Sequence, residues 1–130
     1  IKKSKADWKI LYGHHTYRST AGHGNAEREF EDFFNDLFDL GKIDIYMCGH
    51  DHTKQYIQKN HNNKLLHLIV CGTGGKDYNY GIFLENMNDC DLYFSSSNLG
   101  VGILFCKKNE IKMQFFNHLN KLEYEYSIKK

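Results

Sequence analysis

Two short histidine clusters in this sequence have the residue types and spacing that suit metal binding. One spans Gly13 to His15, and the other spans Gly49 to His52. In the second cluster, His50 and His52 stand two residues apart in an extended turn, so both rings can project to one side and reach one metal ion or two adjacent ions. The glycine in front lets the backbone approach closely. A Gly-His-x-His tetrapeptide also occurs by chance, so the second cluster indicates a metal site only together with the first.

Each cluster follows an apolar run that is typical of a buried strand. The first run is Trp8 to Tyr12 and the second is Ile43 to Cys48, and both stop at a glycine. Between them lies a predicted helix, so the order strand, helix, strand predicts a βαβ unit. Sites in such units form outside the carboxyl ends of the strands. If the two strands are neighbours, the imidazoles of the two clusters converge there, which is the usual architecture of a catalytic metal site.

The helix between the two strands has clear start and stop signals. Asn25 is a suitable N-cap, Glu27 and Glu29 favour the first turn, and Gly41 supplies a stop. Its apolar residues recur at helical spacing and predict a face packed on a sheet rather than a ligand surface; they are Phe30, Phe33, Phe34, Leu37 and Phe38.

The rest of the chain favours further strands. Leu65 to Cys71 is predicted to be a strand after a turn over Gln58 to Lys64, and Lys76 to Leu99 is predicted to be a long loop. Two strands flanking a hairpin turn and a last alternating strand are then expected to be antiparallel with one wet face; their ranges are Gly102 to Cys106, Ile111 to Asn117 and Leu122 to Ile128.

Composition indicates one globular domain over residues 1–130. The chain is 41% hydrophobic, enough for a sizeable core, and its net charge of +1 comes without a basic block that would follow a nucleic-acid backbone. We therefore expect no nucleic-acid partner. Apolar runs are too short to cross a bilayer. Cys48 and Cys71 lie in strand-like runs and are expected to be free thiols in the core.

Four segments, in this order, resemble the C-terminal half of the calcineurin-like metallophosphoesterases of the tartrate-resistant, purple acid phosphatase type. They are LYGHHTYRSTAGHG, YMCGHDHTKQYIQ, VCGTGG and NLGVGILF, which begin at Leu11, Tyr46, Val70 and Asn98. The resemblance implies the C-terminal half of a four-layer αββα sandwich, a mixed α/β (α+β) fold. In such a sandwich we expect one sheet to come largely from each half.

Roles for four histidines follow from that resemblance. His14 and His50 would share one ion, His52 would hold its neighbour, and His23 would bind the ester or protonate the leaving group as the catalytic histidine. The ion pair would be Fe with Fe, Zn or Mn, and a metal-bound hydroxide would attack the phosphorus of a phosphomonoester. His15 matches no such role, and Asp51 is expected to be solvated or to orient a neighbouring imidazole.

The resemblance also shows what this sequence lacks. The aspartate, tyrosine and asparagine ligands of the family belong to N-terminal motifs, so we expect the missing N-terminal half as a partner and an inactive fragment without it. Thr16 stands where the family usually has proline and is expected to loosen the loop. Two alternatives stay open, an inactive scaffold or binding protein and a phosphodiesterase of the same superfamily. Relatives are commonly secreted or lysosomal, which the resemblance alone implies.

Overall fold

The computed structural model describes residues 3–76 and 81–130, which fold into two β-sheets and one α-helix. The five strands of the first sheet are β1 (Ile10–Tyr12), β2 (Ile45–Cys48), β3 (Lys54–His61), β4 (Lys64–Cys71) and β5 (Asp91–Ser96). The helix α1 spans Arg28–Gly41, and a short 3-10 helix spans Leu84–Met87. The second sheet contains β6 (Gly100–Cys106), β7 (Glu110–Asn117) and β8 (Leu122–Lys129).

The first sheet contains the predicted βαβ unit. Its strand order is β1-β2-β4-β3-β5, and the pairs β1 with β2 and β2 with β4 are parallel. Helix α1 connects the first of these pairs and packs on one face of the sheet. The strands β3 and β5 add antiparallel pairs at the other side. The carboxyl ends of β1 and β2 therefore meet at one edge, where both histidine clusters follow.

The strand β3 corrects the prediction of a turn over Gln58 to Lys64. Only Asn62 and Asn63 form the turn, with φ of 49° and 62°, and asparagine tolerates this left-handed backbone well. The predicted long loop is also corrected, because the 3-10 helix and β5 fall inside it. Residues 77–80 of that segment lie outside the described residues.

Helix α1 is confirmed, but its boundaries and its packing differ from the prediction. The N-cap position is Glu27 rather than Asn25, and Lys42 takes a left-handed conformation after Gly41. Of the apolar stripe, only Phe34 and Phe38 are buried in the core against the sheet, while Phe33 is 56% exposed. The stripe is therefore wider than the face that the sheet covers.

A second core lies between the two sheets. Ile45, Tyr56 and Ile69 of the first sheet pack against Ile111 and other residues of the second, including Met113, Phe115 and Ile128. Both sheets thus come from this chain, which corrects the expectation that each half supplies one. The described residues form three layers: helix, sheet and sheet. No described helix covers the outer face of the second sheet, where Val101, Ile103, Phe105 and Leu122 are exposed.

None of the helices in residues 3–76 and 81–130 has both the length and the apolar character needed to cross a membrane.

Candidate functional site

The two predicted histidine clusters meet at the carboxyl ends of β1 and β2. The Nε2 atom of His14 lies 3.1 Å from the Nδ1 atom of His50. Two nitrogens that bind one ion at ordinary zinc–nitrogen distances lie about 3.3 Å apart in tetrahedral geometry. The spacing of His14 and His50 is therefore close to that of two ligands of a single ion.

Two more imidazoles join this pair. The His23 ring lies 4.0 Å from the His50 ring between centroids, and the His15 ring lies 4.8 Å from it. His15 also stacks on Phe30 at 5.3 Å, which explains why this apolar side chain of α1 is not packed on the sheet. His15 was not expected to belong to the site, since an adjacent histidine is usually a surface residue. The only signal in the sequence was its position beside His14.

The backbone and electrostatics of His50 suit a metal ligand. Its φ is +62°, a left-handed conformation that costs energy in most residues and that concentrates at functional sites. Burial lowers the pKa of His50, and the neighbouring imidazoles of His23, His15 and His14 lower it further against the opposing charge of Asp51. The lowered pKa favours the neutral imidazole, which is the form that binds metals.

Strand β2 fastens the start of the loop that contains His14, His15 and His23. The Tyr46 hydroxyl donates to the His15 carbonyl at 2.6 Å, and the Gly13 N–H donates to the Met47 carbonyl at 3.0 Å. A Cβ atom on Gly13 would lie 2.8 Å from the Tyr46 oxygen. A side chain at position 13 would therefore displace the Tyr46 hydroxyl from its hydrogen bond with the His15 carbonyl.

The rest of this loop, Thr16 to Ala26, is fixed by buried polar groups. Thr16 donates its hydroxyl to the Gly24 carbonyl at 2.8 Å, a hydrogen bond that proline could not make, so the loop is closed and not loosened. Asn25, the predicted N-cap, instead accepts from the Ser19 N–H through Oδ1 at 3.0 Å. Its amide donates to the Asn86 carbonyl at 2.8 Å. These bonds hold both ends of the loop beside the cluster.

Gln55, three residues after His52, anchors the same loop from β3. Its Oε1 accepts from the N–H and the hydroxyl of Thr20, both at 3.0 Å. Its Nε2 donates to the hydroxyls of Ser19 and Thr53 at 2.8 and 2.7 Å. All four hydrogen-bonding positions of this fully buried amide are used, so it fixes the loop without leaving an unpaired polar atom.

A charged cluster holds the outer side of the loop. The buried Arg18 guanidinium pairs with Asp89 at 2.8 Å and with Glu31 of α1, and Lys59 of β3 pairs with the same Asp89. The hydrogen bond from Arg18 and the one from Lys59 hold the pKa of Asp89 well below its usual range, against the opposing effect of burial. The cluster joins the loop to α1, to β3 and to the turn before β5.

Asp51 connects the second histidine cluster to the loop. Its side chain is fully buried, so the expectation of a solvated carboxylate is wrong, and the alternative, that it orients a neighbouring imidazole, stays a prediction. Its Oδ1 accepts from the His23 N–H at 2.9 Å. Its carbonyl oxygen would lie 2.0 Å from a Cβ atom on Gly72, so the VCGTGG segment approaches this turn too closely for any side chain. The contact gives Gly72, the first glycine of that segment, a packing role.

A cavity of about 330 Å³ opens beside the imidazoles. His15, His23 and His50 form one side, and Phe30 and Glu27 of α1 form another. It is large enough for a phosphate group and a small leaving group next to the two rings of His23 and His50.

The donor set fits part of a metal site. No three histidine, cysteine, aspartate or glutamate side chains within residues 3–76 and 81–130 are grouped so that they hold an ion by themselves. His14 and His50 supply two nitrogens at ligand spacing, and further donors are needed, for which carboxylates are usual partners of imidazole. His52 is half-buried in the same turn as His50, and its ligand role stays a prediction.

No family model matches the sequence. Curated proteins do match parts of it. Purple acid phosphatase 4 and purple acid phosphatase 17 of Arabidopsis thaliana are 36% and 37% identical over 76 residues, 58% of this chain and 22% of each relative. Tartrate-resistant acid phosphatase type 5 of Sus scrofa is 30% identical over 74 residues, 57% of this chain and 21% of that protein. The chain thus spans about a fifth of the length of these relatives.

Two solved structures share the fold. The purple acid phosphatase PPD1 from yellow lupin, Lupinus luteus, superposes with a TM-score of 0.75 at 18% identity, over 99% of this chain and 26% of that one. By sequence and fold, this chain is similar to purple acid phosphatases, which supports its recognition as a C-terminal part of a calcineurin-like phosphoesterase. GAP50, named as the anchor in the inner membrane complex of Plasmodium, gives a TM-score of 0.79 at 21% identity, over 95% of this chain and 37% of that one.

The similarity to purple acid phosphatases confirms the mixed α/β fold class and the recognition made from the four motifs. The relatives are acid phosphatases, so the similarity points to phosphoester hydrolysis as the activity of the group and to a metal cofactor in it.

Proposed function

We propose that the complete protein hydrolyses phosphomonoesters at a dinuclear metal centre to which this chain contributes His14, His50 and His52. The observation that carries the proposal is the 3.1 Å separation of the His14 and His50 nitrogens at the carboxyl ends of two neighbouring parallel strands. Neutral imidazoles suit iron, zinc and manganese, so the pair would be Fe with Fe, Zn or Mn. When bound, such a pair supplies an activated water and draws charge from the ester oxygens.

The residues of this chain supply the rest of the chemistry. His14 and His50 would hold one ion between them, and His52 would hold the second. His23 is exposed and lies against His50, which supports a role in which its imidazole would bind the ester or donate a proton to the leaving oxygen. The stacked rings of His15 and Phe30 line the same cavity as His23 and His50.

The proposal requires a partner for this chain, the N-terminal half of the same domain, with residues 1–130 as its C-terminal part. Two features support that partner. The first is the incomplete donor set, since carboxylates are needed beside the imidazoles. The second is the exposed apolar outer face of the second sheet, which a further layer would bury.

The test is metal content and p-nitrophenyl phosphate hydrolysis of the full-length protein, compared with His50→Asn. Asparagine adopts the left-handed backbone of position 50 readily, so the change removes an imidazole at little conformational cost. His61→Asn is the matched control, because His61 lies at the opposite end of β3 and pairs with Asp39. We expect two ions and activity in the wild type and the control, and loss of an ion with at least about a 100-fold fall in kcat in His50→Asn.

A second candidate is a scaffold with this fold and no catalysis. The observation in its favour is the fold shared with GAP50, whose name describes an anchor. The same experiment separates the two functions, since a scaffold would bind no metal, would hydrolyse nothing and would be indifferent to His50→Asn.

A further inference from the structure

The carboxylate of Asp51 is buried between two of the proposed metal ligands, His50 and His52. A buried carboxylate is costly unless hydrogen bonds compensate for lost hydration. Within the described residues, Oδ1 of Asp51 accepts one hydrogen bond, from the His23 N–H at 2.9 Å, and Oδ2 has no hydrogen-bond partner. A neutral side chain would fill the same space with less penalty, so the carboxylate is retained at a cost.

The main chain holds Asp51 rigidly in its turn. Its N–H donates to the Gly49 carbonyl and its own carbonyl accepts from the Thr53 N–H, both at 2.8 Å. The same carbonyl packs against Gly72, and the Gly72 N–H donates to the Thr53 carbonyl at 3.0 Å. These hydrogen bonds and the close contact with Gly72 restrain the turn, and they therefore restrain the position of the Asp51 carboxylate.

The carboxylate accepts its hydrogen bond from His23, the catalytic candidate, which lies outside the turn that contains Asp51. His23 belongs to the loop before α1, its side chain is exposed, and its ring lies 4.0 Å from the His50 ring between centroids. The Asp51 bond fixes the backbone of His23, and so the base of its side chain, relative to His50 and His52 on either side of Asp51.

We propose that Asp51 is a positioning residue, whose buried carboxylate holds the main chain of His23 so that its imidazole faces the leaving oxygen of a phosphomonoester. The proposal rests on the proposed function of the site. It predicts that Asp51 acts only through His23, so that its loss lowers kcat for substrates whose leaving group needs a proton.

The test uses the full-length, metal-loaded protein and two substrates. p-Nitrophenyl phosphate has a leaving group that departs without a proton, whereas the alkoxide of glycerol 2-phosphate needs one. Asp51→Ala removes the hydrogen bond. Asp51→Asn keeps an acceptor of the same shape. Gln55→Leu is the structural control, because it loosens the same loop without touching the His23 amide.

We expect Asp51→Ala to lower kcat about tenfold for glycerol 2-phosphate and no more than about twofold for p-nitrophenyl phosphate, a fraction of the effect of full acid catalysis. Asp51→Asn should recover most of the loss. In a His23→Ala background, Asp51→Ala should have no further effect, and Gln55→Leu should slow both substrates by the same factor. Metal content should stay at the wild-type value in both Asp51 variants.

Amide hydrogen exchange gives a readout that does not depend on catalysis. The His23 amide should exchange slowly in the wild type and in Asp51→Asn, and at least about tenfold faster in Asp51→Ala, because its buried hydrogen bond is lost.

Three results overturn the inference. They are equal slowing of both substrates by Asp51→Ala, an additive effect in the His23→Ala background, and an unchanged exchange rate at His23. Failure of the proposed function gives a different pattern, in which the wild type binds no metal or His23→Ala and His50→Asn leave hydrolysis unaltered.

Discussion

Two regions of the molecule, the histidine site and the second sheet, are stabilised in different ways. Around the histidines, polar residues are buried and hydrogen-bonded, as Gln55 and Thr20 show. In the second sheet, β7 buries Ile111, Met113 and Phe115 and leaves polar residues between them. Apolar packing tolerates small shifts, whereas hydrogen bonds fix both distance and direction. The comparison indicates that the site region gives up some stability for fixed geometry.

The largest loss of stability is expected when the ion pair between the two regions is broken. Lys54 of β3 is fully buried and pairs with Glu123 of β8 at 3.0 Å. Lys54→Met should lower the free energy of unfolding by about 3–5 kcal/mol, because it removes the cation beside a largely buried carboxylate and leaves it only the hydrogen bonds from Asn98 and Ser96. Urea denaturation of the full-length protein measures it. The double variant with Glu123→Leu should regain much of the loss, and a double variant as unstable as the single one would contradict this account.

Gln55→Leu should cost about 2–4 kcal/mol, because it leaves the Thr20 N–H and neighbouring hydroxyls buried without partners. The matched change in the apolar region is Ile111→Val, which should cost only about 1 kcal/mol. Equal losses in the two variants, measured by denaturant unfolding, would remove the distinction between the regions.

His67, in β4 of the first sheet, makes the free energy of unfolding depend on pH. Burial lowers its pKa from 6.5 to about 4, against the opposing charge of Asp44, and its Nδ1 lies 2.7 Å from the Tyr56 hydroxyl. The unfolded chain therefore binds a proton first on acidification. The neutral ring contributes fully above pH 6.5, and up to roughly 3 kcal/mol is lost as the pH falls from 6.5 to 4. His67→Gln should flatten the unfolding free energy across this window, and an unchanged slope would show that another group is responsible.

The smallest effect is expected on the outer face of the second sheet. In the described residues Ile103 is 39% exposed, and in the proposed complete domain it is covered by the N-terminal half. Ile103→Thr should then cost about 1–2 kcal/mol in the full-length protein, compared with less than about 0.5 kcal/mol for an exposed position. Thermal unfolding distinguishes these values, and the lower one would argue against a covering layer.

Sequence patterns predicted the elements that follow simple periodicity. The βαβ unit and the hairpin of β6 and β7 have apolar runs ending in glycine or turn residues, and the structure contains them. The strand β3 was missed because it buries polar residues, Lys54, Gln55, Gln58 and Lys59. Three of them, Lys54, Gln55 and Lys59, have partners far away in the chain. Polar burial of this kind leaves no periodic signal in a single sequence.

The candidate site shows the same limit. The meeting of His14 and His50 was predicted from two strand ends, and the structure brings them together. The inclusion of His15 and the burial of Asp51 were not predictable, because both depend on the path of the Thr16 to Ala26 loop. That path is set by contacts with β3 and α1, which adjacent residues in the sequence do not indicate.

The most direct test of the central claim is anomalous diffraction from crystals of the full-length protein grown with the native metal. The account predicts an ion within about 2.0–2.2 Å of both His14 Nε2 and His50 Nδ1. An ion bound by other residues, or these two nitrogens hydrogen-bonded to each other with no anomalous peak between them in metal-replete protein, would contradict it.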